Sequence, residues 1–242
     1  MNDNVSGKEI IHLSKVTKVY RIGETEHTAL RGIDLSIKTG DFVSIAGPSG
    51  SGKSTLLNLI GCLDKPTSGE VELDGIKVKK LNHNRLADLR KENIGFVFQS
   101  FNLIPVLTAY ENVEFPLLLK QNISSAERKE LITSIFKEID LEEFMGRRPN
   151  EMSGGQQQRV AVARALIKKP KLILADEPTA NLDSNTGNSI LQIMKELNRK
   201  MNISFVFSTH DKMVMDFASR LIILKDGMIV EDTVQNNSGA LN

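Results

Sequence analysis

The chain has 242 residues, enough for one large domain, or a core with a subdomain, built around a sizeable apolar interior. Its 31 basic and 30 acidic residues are interspersed and leave a net charge of +1, which argues against nucleic-acid binding by bulk electrostatics. The single cysteine, Cys62, excludes an internal disulfide, and no apolar run approaches the roughly 20 residues that cross a bilayer.

The polar start MNDNVSGKE does not read as a signal peptide, and a soluble, cytoplasmic protein is expected, with short tails up to Lys8 and from Val234 onward. IIHLSKVTKVY, from residue 10, and LRGIDLSIKTG, from residue 30, alternate apolar and polar residues as antiparallel strands do. DFVSIA (41–46) is a short apolar run of the kind buried in a parallel sheet. GPSGSGKST (47–55) follows, and a helical pattern runs over 53–62 with Cys62 as a buried small residue within it. SGEVELDGIKV, from residue 68, returns to strand alternation. Between Gln99 and Ser153 the pattern is helical, including a capped amphipathic segment at 124–139 with Leu131, Ile132, Ile135 and Ile139 on one face.

The next helix opens at SGGQQQRVAVARAL, with Val160, Val162, Ala163, Ala165, Leu166 and Ile167 as its apolar side and Lys168, Lys169 and Pro170 as its stop. LILA (172–175) and SFVFST (204–209) are two more buried strands. Helical patterns follow them over 184–201 and, more weakly, after Asp211. LIILKDGMIVED closes the chain as a hairpin turning at Asp226-Gly227. These elements predict an α/β fold with a mainly parallel, doubly wound sheet in a single domain over 8–242. A β-rich antiparallel layer would cover about 8–40 and 68–98, an inserted helical subdomain about 100–160, and the core 41–67 and 161–232.

GPSGSGKST carries the strongest chemical signal, because it satisfies G-x-x-x-x-G-K-[ST] between a buried strand and a helix. Gly47, Pro48, Ser49, Gly50, Ser51, Gly52, Lys53, Ser54 and Thr55 are expected to bind the phosphates of a nucleotide. Backbone N–H groups cradle phosphate oxygens, Lys53 neutralises β- and γ-phosphate charge, and the Ser54 hydroxyl ligates Mg2+. Asp176 ends an apolar strand at the same sheet edge, where its carboxylate can hold the Mg2+ through water. Glu177 beside it is either a solvated charge or the group that polarises the attacking water. A lone histidine is usually structural, but His210 is delivered to this edge by a third strand and can sense the γ-phosphate. Ser153 with Gln156 fits a capping box, which explains the serine and the glutamine without a function. Capping does not explain Gly154 and Gly155, which suit an anion approaching a helix N-terminus closely.

With these residues in place, the sequence closely resembles the ATP-binding cassette ATPases, the motor subunits of ABC transporters, over about residues 11–232. MSGGQ looks like the family signature, with Met152 where leucine is commoner. Gln99 in FVFQSFNL resembles the Q-loop glutamine, and ANLDS (180–184) the D-loop with Asp183. Tyr20, which alone would more often be packing, matches the aromatic that stacks on adenine. The resemblance implies an ATPase that uses ATP and Mg2+, with Gln99 touching the metal and the attacking water. It also implies a head-to-tail homodimer in which Ser153, Gly154, Gly155, Gln156 and Asp183 serve the ATP held by the other chain's loop. An integral membrane permease and a place on the cytoplasmic face of the inner membrane follow, with no nucleic-acid partner.

Within the family, GCLDKPTSG and SGGQQQRVAVARAL are most similar to the lipoprotein-release, macrolide- and peptide-export, and cell-division group. Lipoprotein release is the first expectation, with macrolide or antimicrobial-peptide export or cell-division signalling as alternatives. GRRPNEM lacks the acidic, glycine-rich pattern of exporters with fused permeases, which implies a separately encoded permease. Soluble cassettes of DNA repair or the ribosome usually carry two cassettes or a long insertion, which this sequence lacks. The presence of Lys53, Asp176, Glu177 and His210 argues against a non-hydrolysing scaffold. Phe101, Leu103, Ile104 and Leu107 are either a groove for a permease helix or subdomain core.

Overall fold

The computed structural model describes residues 7–119 and 123–235. The expected tails at 1–6 and 236–242 lie outside the described residues, but their inner ends are built into the fold. Lys8 donates to Asp74 and its carbonyl accepts from Thr39, while Val234 is the last residue of a strand.

The alternating stretches at the start form one long hairpin, β1 (Glu9–Ile22) paired antiparallel with β2 (Thr25–Lys38). After β3 (Phe42–Ala46) leaves for a second sheet, β4 (Ser68–Leu73) pairs with the free edge of β1 and β5 (Ile76–Lys77) with β4. The resulting layer has the order β2-β1-β4-β5. Its inward side chains, among them Ile11, Leu13, Ile33, Ile37 and Val71, share one apolar cluster with α1 (Lys53–Ile60).

The second sheet has the order β10-β9-β3-β8-β7-β6, where β6 is Ile94–Phe98, β7 Leu172–Asp176, β8 Ser204–Thr209, β9 Arg220–Lys225 and β10 Met228–Val234. All its pairings are parallel except that of β10 with β9. The parallel strands look continuously apolar because alternate residues enter different cores. Phe42, Ile173, Phe205 and Phe207 join the cluster on one face, and Val43, Leu172, Leu174 and Val206 the cluster on the other. The closing hairpin turns at Asp226 and Gly227, both at positive φ, as expected.

Three expectations are corrected. The antiparallel layer does not extend to residue 98: β6 pairs parallel with β7, Ile94 opposite Leu172 through Phe98 opposite Asp176. Its Ile94 and Val97 fill opposite faces of the core sheet. Between the layer and β6 runs α2 (His83–Asn93), a helix that was not expected, capped by the Asn82 side chain and held by buried Leu86 and Leu89. Secondly, α1 ends at Ile60, so Cys62 lies beyond the helix with φ 52, although it is buried and burial pushes its thiol up to about 11.

The third correction concerns the helical insert. It comprises α3 (Ala109–Leu118), α4 (Ser125–Glu138) and the start of α5 (Gly154–Leu166), with α3 held by a Thr108–Glu111 capping box and α4 by the Ser124 side chain. Val113, Leu117, Ile132 and Phe136 belong to the same apolar cluster as Ile173, Leu191 and Phe205. Among the described residues the insert therefore has no core of its own. A boundary at residue 160 would cut through α5, one continuous helix that passes from the insert into the core.

Candidate nucleotide site

Residues 47–52 connect β3 to α1 by a turn that glycine alone can follow at its two ends. Gly47 has φ 152, and a Cβ there would lie 2.0 Å from the carbonyl oxygen of Leu224. Gly52 has φ 104, and its Cβ would lie 2.6 Å from the carbonyl oxygen of Ala29. The first turn of α1 carries no acidic residue and no side-chain cap, so its N–H groups and dipole are left for an anion. Lys53 Nζ donates to the carbonyls of Gly47 (2.7 Å) and Pro48 (3.0 Å), which places the ammonium over the loop. The Gly227 N–H donates to the Ser51 carbonyl and ties the loop to the final hairpin.

At the C-terminal edge of the sheet, Asp176 ends β7 and Glu177 follows with φ 47, a left-handed conformation uncommon for a residue with a side chain. The Glu177 N–H donates to the Ser208 carbonyl at 2.9 Å. One carboxylate oxygen accepts from Thr209 Oγ1 at 3.1 Å, and the other lies 2.6 Å from His210 Nδ1. Against a carboxylate, Nδ1 carries the proton, which leaves Nε2 for another partner. Glu177 is 17% exposed and His210 74%, so the pair spans the boundary between protein and cleft. Gln99 follows β6, and its carbonyl accepts from Asn181 Nδ2 at 3.0 Å.

These groups meet in one cleft of about 640 Å³, a size suited to a small-molecule ligand. Its walls are residues 49–55, Gln99, Asp176, Glu177, Ser208 and His210 from the core, with Tyr20, His27 and Ala29 from the antiparallel layer. Gly47 and Pro48 stand at the root of the loop rather than in the lining. Tyr20 is both packed and in the wall: the Lys18 ammonium sits 4.9 Å from its ring centre and its hydroxyl donates to Asp64.

The family model for ABC transporters matches residues 30–180. The chain belongs to the ABC transporter family. It is 54% identical to the ABC transporter ATP-binding protein MJ0796 of Methanocaldococcus jannaschii over 223 residues, covering 91% of this chain and 95% of that one. A solved dimeric structure of the MJ0796 cassette in a post-hydrolysis state, bound to ADP and Pi, superposes with a TM-score of 0.84. That match has 51% identity and covers 93% of this chain and 98% of the other. The lipoprotein-releasing system ATP-binding protein LolD of Anaeromyxobacter dehalogenans is 43% identical over 230 residues, 95% of this chain and 96% of its own. The macrolide export ATP-binding/permease protein MacB of Syntrophobacter fumaroxidans is 45% identical over 222 residues, 91% of this chain but 31% of MacB. This cassette is an ABC ATPase.

The cassette's own cleft does not contain Ser153, Gly154, Gly155, Gln156 or Asp183. Ser153 caps α5 through the full reciprocal box, Oγ accepting from the Gln156 N–H (3.3 Å) and Gln156 Oε1 accepting from the Ser153 N–H (2.8 Å). Asp183 caps α6 (Ser184–Met201), and hydrogen bonds from the Thr186 hydroxyl and N–H hold its carboxyl below the usual range. Gly155 has a reason inside the chain that was not foreseen: a Cβ there would lie 2.5 Å from Thr186 Cγ2. At Gly154 a Cβ would make only ordinary contacts, the nearest 3.4 Å away at Leu182. The two glycines should therefore separate in unfolding experiments. Gly155→Ala is expected to cost about 1–3 kcal/mol by overpacking a stiff β-branched neighbour. Gly154→Ala should be neutral or gain up to about 1 kcal/mol from helix propensity. Equal urea midpoints for the two variants would remove Thr186 as the reason for Gly155.

Some residues of the site were not singled out in the sequence. His27 stands opposite Tyr20 in the β1–β2 register, so pairing the two strands would have found it. Thr209, one place before His210, holds Glu177. Arg164 of α5 donates to the carbonyls of Phe101 and Asn102, both at positive φ just after Gln99. No local signal marks that last role.

Proposed function

We propose that this cassette is the ATP-hydrolysing subunit of a transporter whose membrane permease is a separate chain. It would act as a peripheral homodimer on the cytoplasmic face of the inner membrane, without a nucleic-acid partner. The observation that carries the ATPase assignment to residues is the meeting of Lys53, Asp176, Glu177 and His210 in one cleft. Ser54, Asp176 and Gln99 line the same cleft and supply the hard oxygen donors that suit Mg2+, which usually takes one or two carboxylates and leaves room for phosphate. Mg2+ bound there would neutralise charge on the β- and γ-phosphates. The loop N–H groups and Lys53 hold the triphosphate. Glu177 orients the water and accepts its proton, while Thr209 and His210 fix the carboxylate's direction. Tyr20 offers its ring to the adenine. Ser153 and the N-terminal N–H groups of α5 serve the γ-phosphate on the partner cassette, a reading supported by the dimeric structure of the MJ0796 relative.

Lipoprotein release is the first reading of the cargo, supported by similarity to LolD along nearly the whole chain, and macrolide or antimicrobial-peptide export is the second. The docking face needs revision. Phe101, Leu103, Ile104 and Leu107 are all partly buried, and Leu103 packs on the core cluster. In the described part of this insert the outward large apolar residues are Val106 (74% exposed) and, on or just after α3, Phe115, Leu118 (56%) and Leu119. Phe115, Leu118 and Leu119 fall on one helical face, which suits a short cytoplasmic helix of a permease. A Phe115→Asp, Leu118→Asp variant should lose the co-purifying permease while keeping basal ATP hydrolysis within about two-fold, since exposed positions rarely cost the fold much. Retention of the permease would exclude this face. Release of a lipoprotein, a macrolide or a peptide by the co-purified pair in proteoliposomes decides the cargo.

A further inference from the structure

Five residues after its capping serine, α5 buries an amide completely. Gln158 is 0% exposed; its Nε2 donates to the Pro178 carbonyl at 2.6 Å, and its Oε1 has no partner among the described residues. A buried polar atom without a partner is costly, and an apolar side chain of the same length would fill the space without one. Packing alone does not account for an amide at this position.

The carbonyl it binds belongs to the turn that begins at Glu177. Glu177 holds φ 47, which a residue with a Cβ adopts only when its surroundings impose it. The Ser208 carbonyl takes its N–H and the Ala180 N–H takes its carbonyl, at 2.9 and 3.2 Å. Gln158 of α5 secures the next carbonyl, that of Pro178. We infer that Gln158 is a positioning residue for Glu177: its buried amide fixes the backbone from which the carboxylate leaves the sheet edge. Thr209 and His210 set the carboxylate's orientation, and Gln158 sets its origin. The helix that begins with Ser153 thus also aims the carboxylate of its own chain. This inference rests on Glu177 being the group that acts on water.

A double-mutant cycle on the full-length protein tests it. Gln158→Met keeps length and volume but removes the donor. Its kcat for ATP hydrolysis should fall at least about ten-fold, with KM for ATP changed less than about two-fold, because the phosphate loop is untouched. In a Glu177→Gln background the same change should alter the residual single-turnover rate by less than about two-fold, since the group it positions has lost its function. A wild-type kcat in Gln158→Met would overturn the inference. So would the same fold-loss in both backgrounds, which is what a general structural role produces. Gln158→Leu should repeat the pattern, and failure of both variants to fold would assign Gln158 to stability instead. Glu177→Gln alone separates the two levels. If it turns over at the wild-type rate, the role of Glu177 falls and this inference with it; if it is slow while Gln158→Met is not, only Gln158 falls.

Discussion

Lys53→Ala should leave the cassette folded and almost without ATP turnover, at least about 100-fold below the wild-type rate, the scale seen when one preorganised charge-stabilising donor is removed. The ammonium stands over the loop, bonded to the Gly47 and Pro48 carbonyls, where on the proposed reading a γ-phosphoryl group would gather charge as it transfers. Mobile solvent cannot replace a cation held at a fixed point. The fold should tolerate the change, because Lys53 is the first residue of α1 and alanine is the best helix former. The loop's shape also depends on Gly47 and Gly52 rather than on the lysine. Phosphate release and a thermal melt on the same sample check both halves. Turnover near the wild-type rate with an unchanged melt would remove the loop from the mechanism.

What the sequence disclosed well is what chemistry writes locally. The phosphate loop is a contiguous string whose context is one strand and one helix, and both were readable from a few residues on either side. Asp176, Glu177 and His210 line one cleft because each lies at or just after the end of an apolar strand, and parallel strands bring their ends to one edge. Less legible was whatever depends on distant partners. Nothing in IGFVF says which sheet β6 joins; that follows from pairing with LILAD far along the chain. α2 is hard to read locally because its exposed face is strongly polar and its buried apolar face is only Leu86 and Leu89, although Asn82 is a recognisable cap. Gly155 looked like an anion-binding glycine and is, within the chain, the place where α5 meets Thr186. The structure shows the capping box formed at Ser153; the box uses the N–H groups of Ser153 and Gln156 and not those of Gly154 and Gly155.

The proposed second use of Ser153 makes ATP-driven pairing the most demanding test of the site. Glu177→Gln retains the hydrogen-bonding shape of the side chain but not its basicity, so bound ATP should persist. Each ATP would then join Lys53 of one chain to Ser153 and Gly155 of the other, and saturating nucleotide would pull the equilibrium towards the dimer. Because the unpaired chain also holds ATP at its own loop, pairing gains only the difference between the two affinities, about 1.4 kcal/mol per site for each ten-fold. Light scattering of this variant should show a monomer without nucleotide, a dimer with ATP, and a monomer with ADP, which lacks the γ-phosphate. Adding Ser153→Arg should prevent the dimer by filling the anion's place. The cap it removes is worth about 1 kcal/mol, too little to unfold a domain of ordinary stability, so the loss would report on the interface. ATP binding at the phosphate loop should survive, because Ser153 lies outside that cleft in its own chain. A double variant that still dimerises with ATP would reduce Ser153 to the helix cap it visibly is, and would move the partner's contact with the γ-phosphate elsewhere.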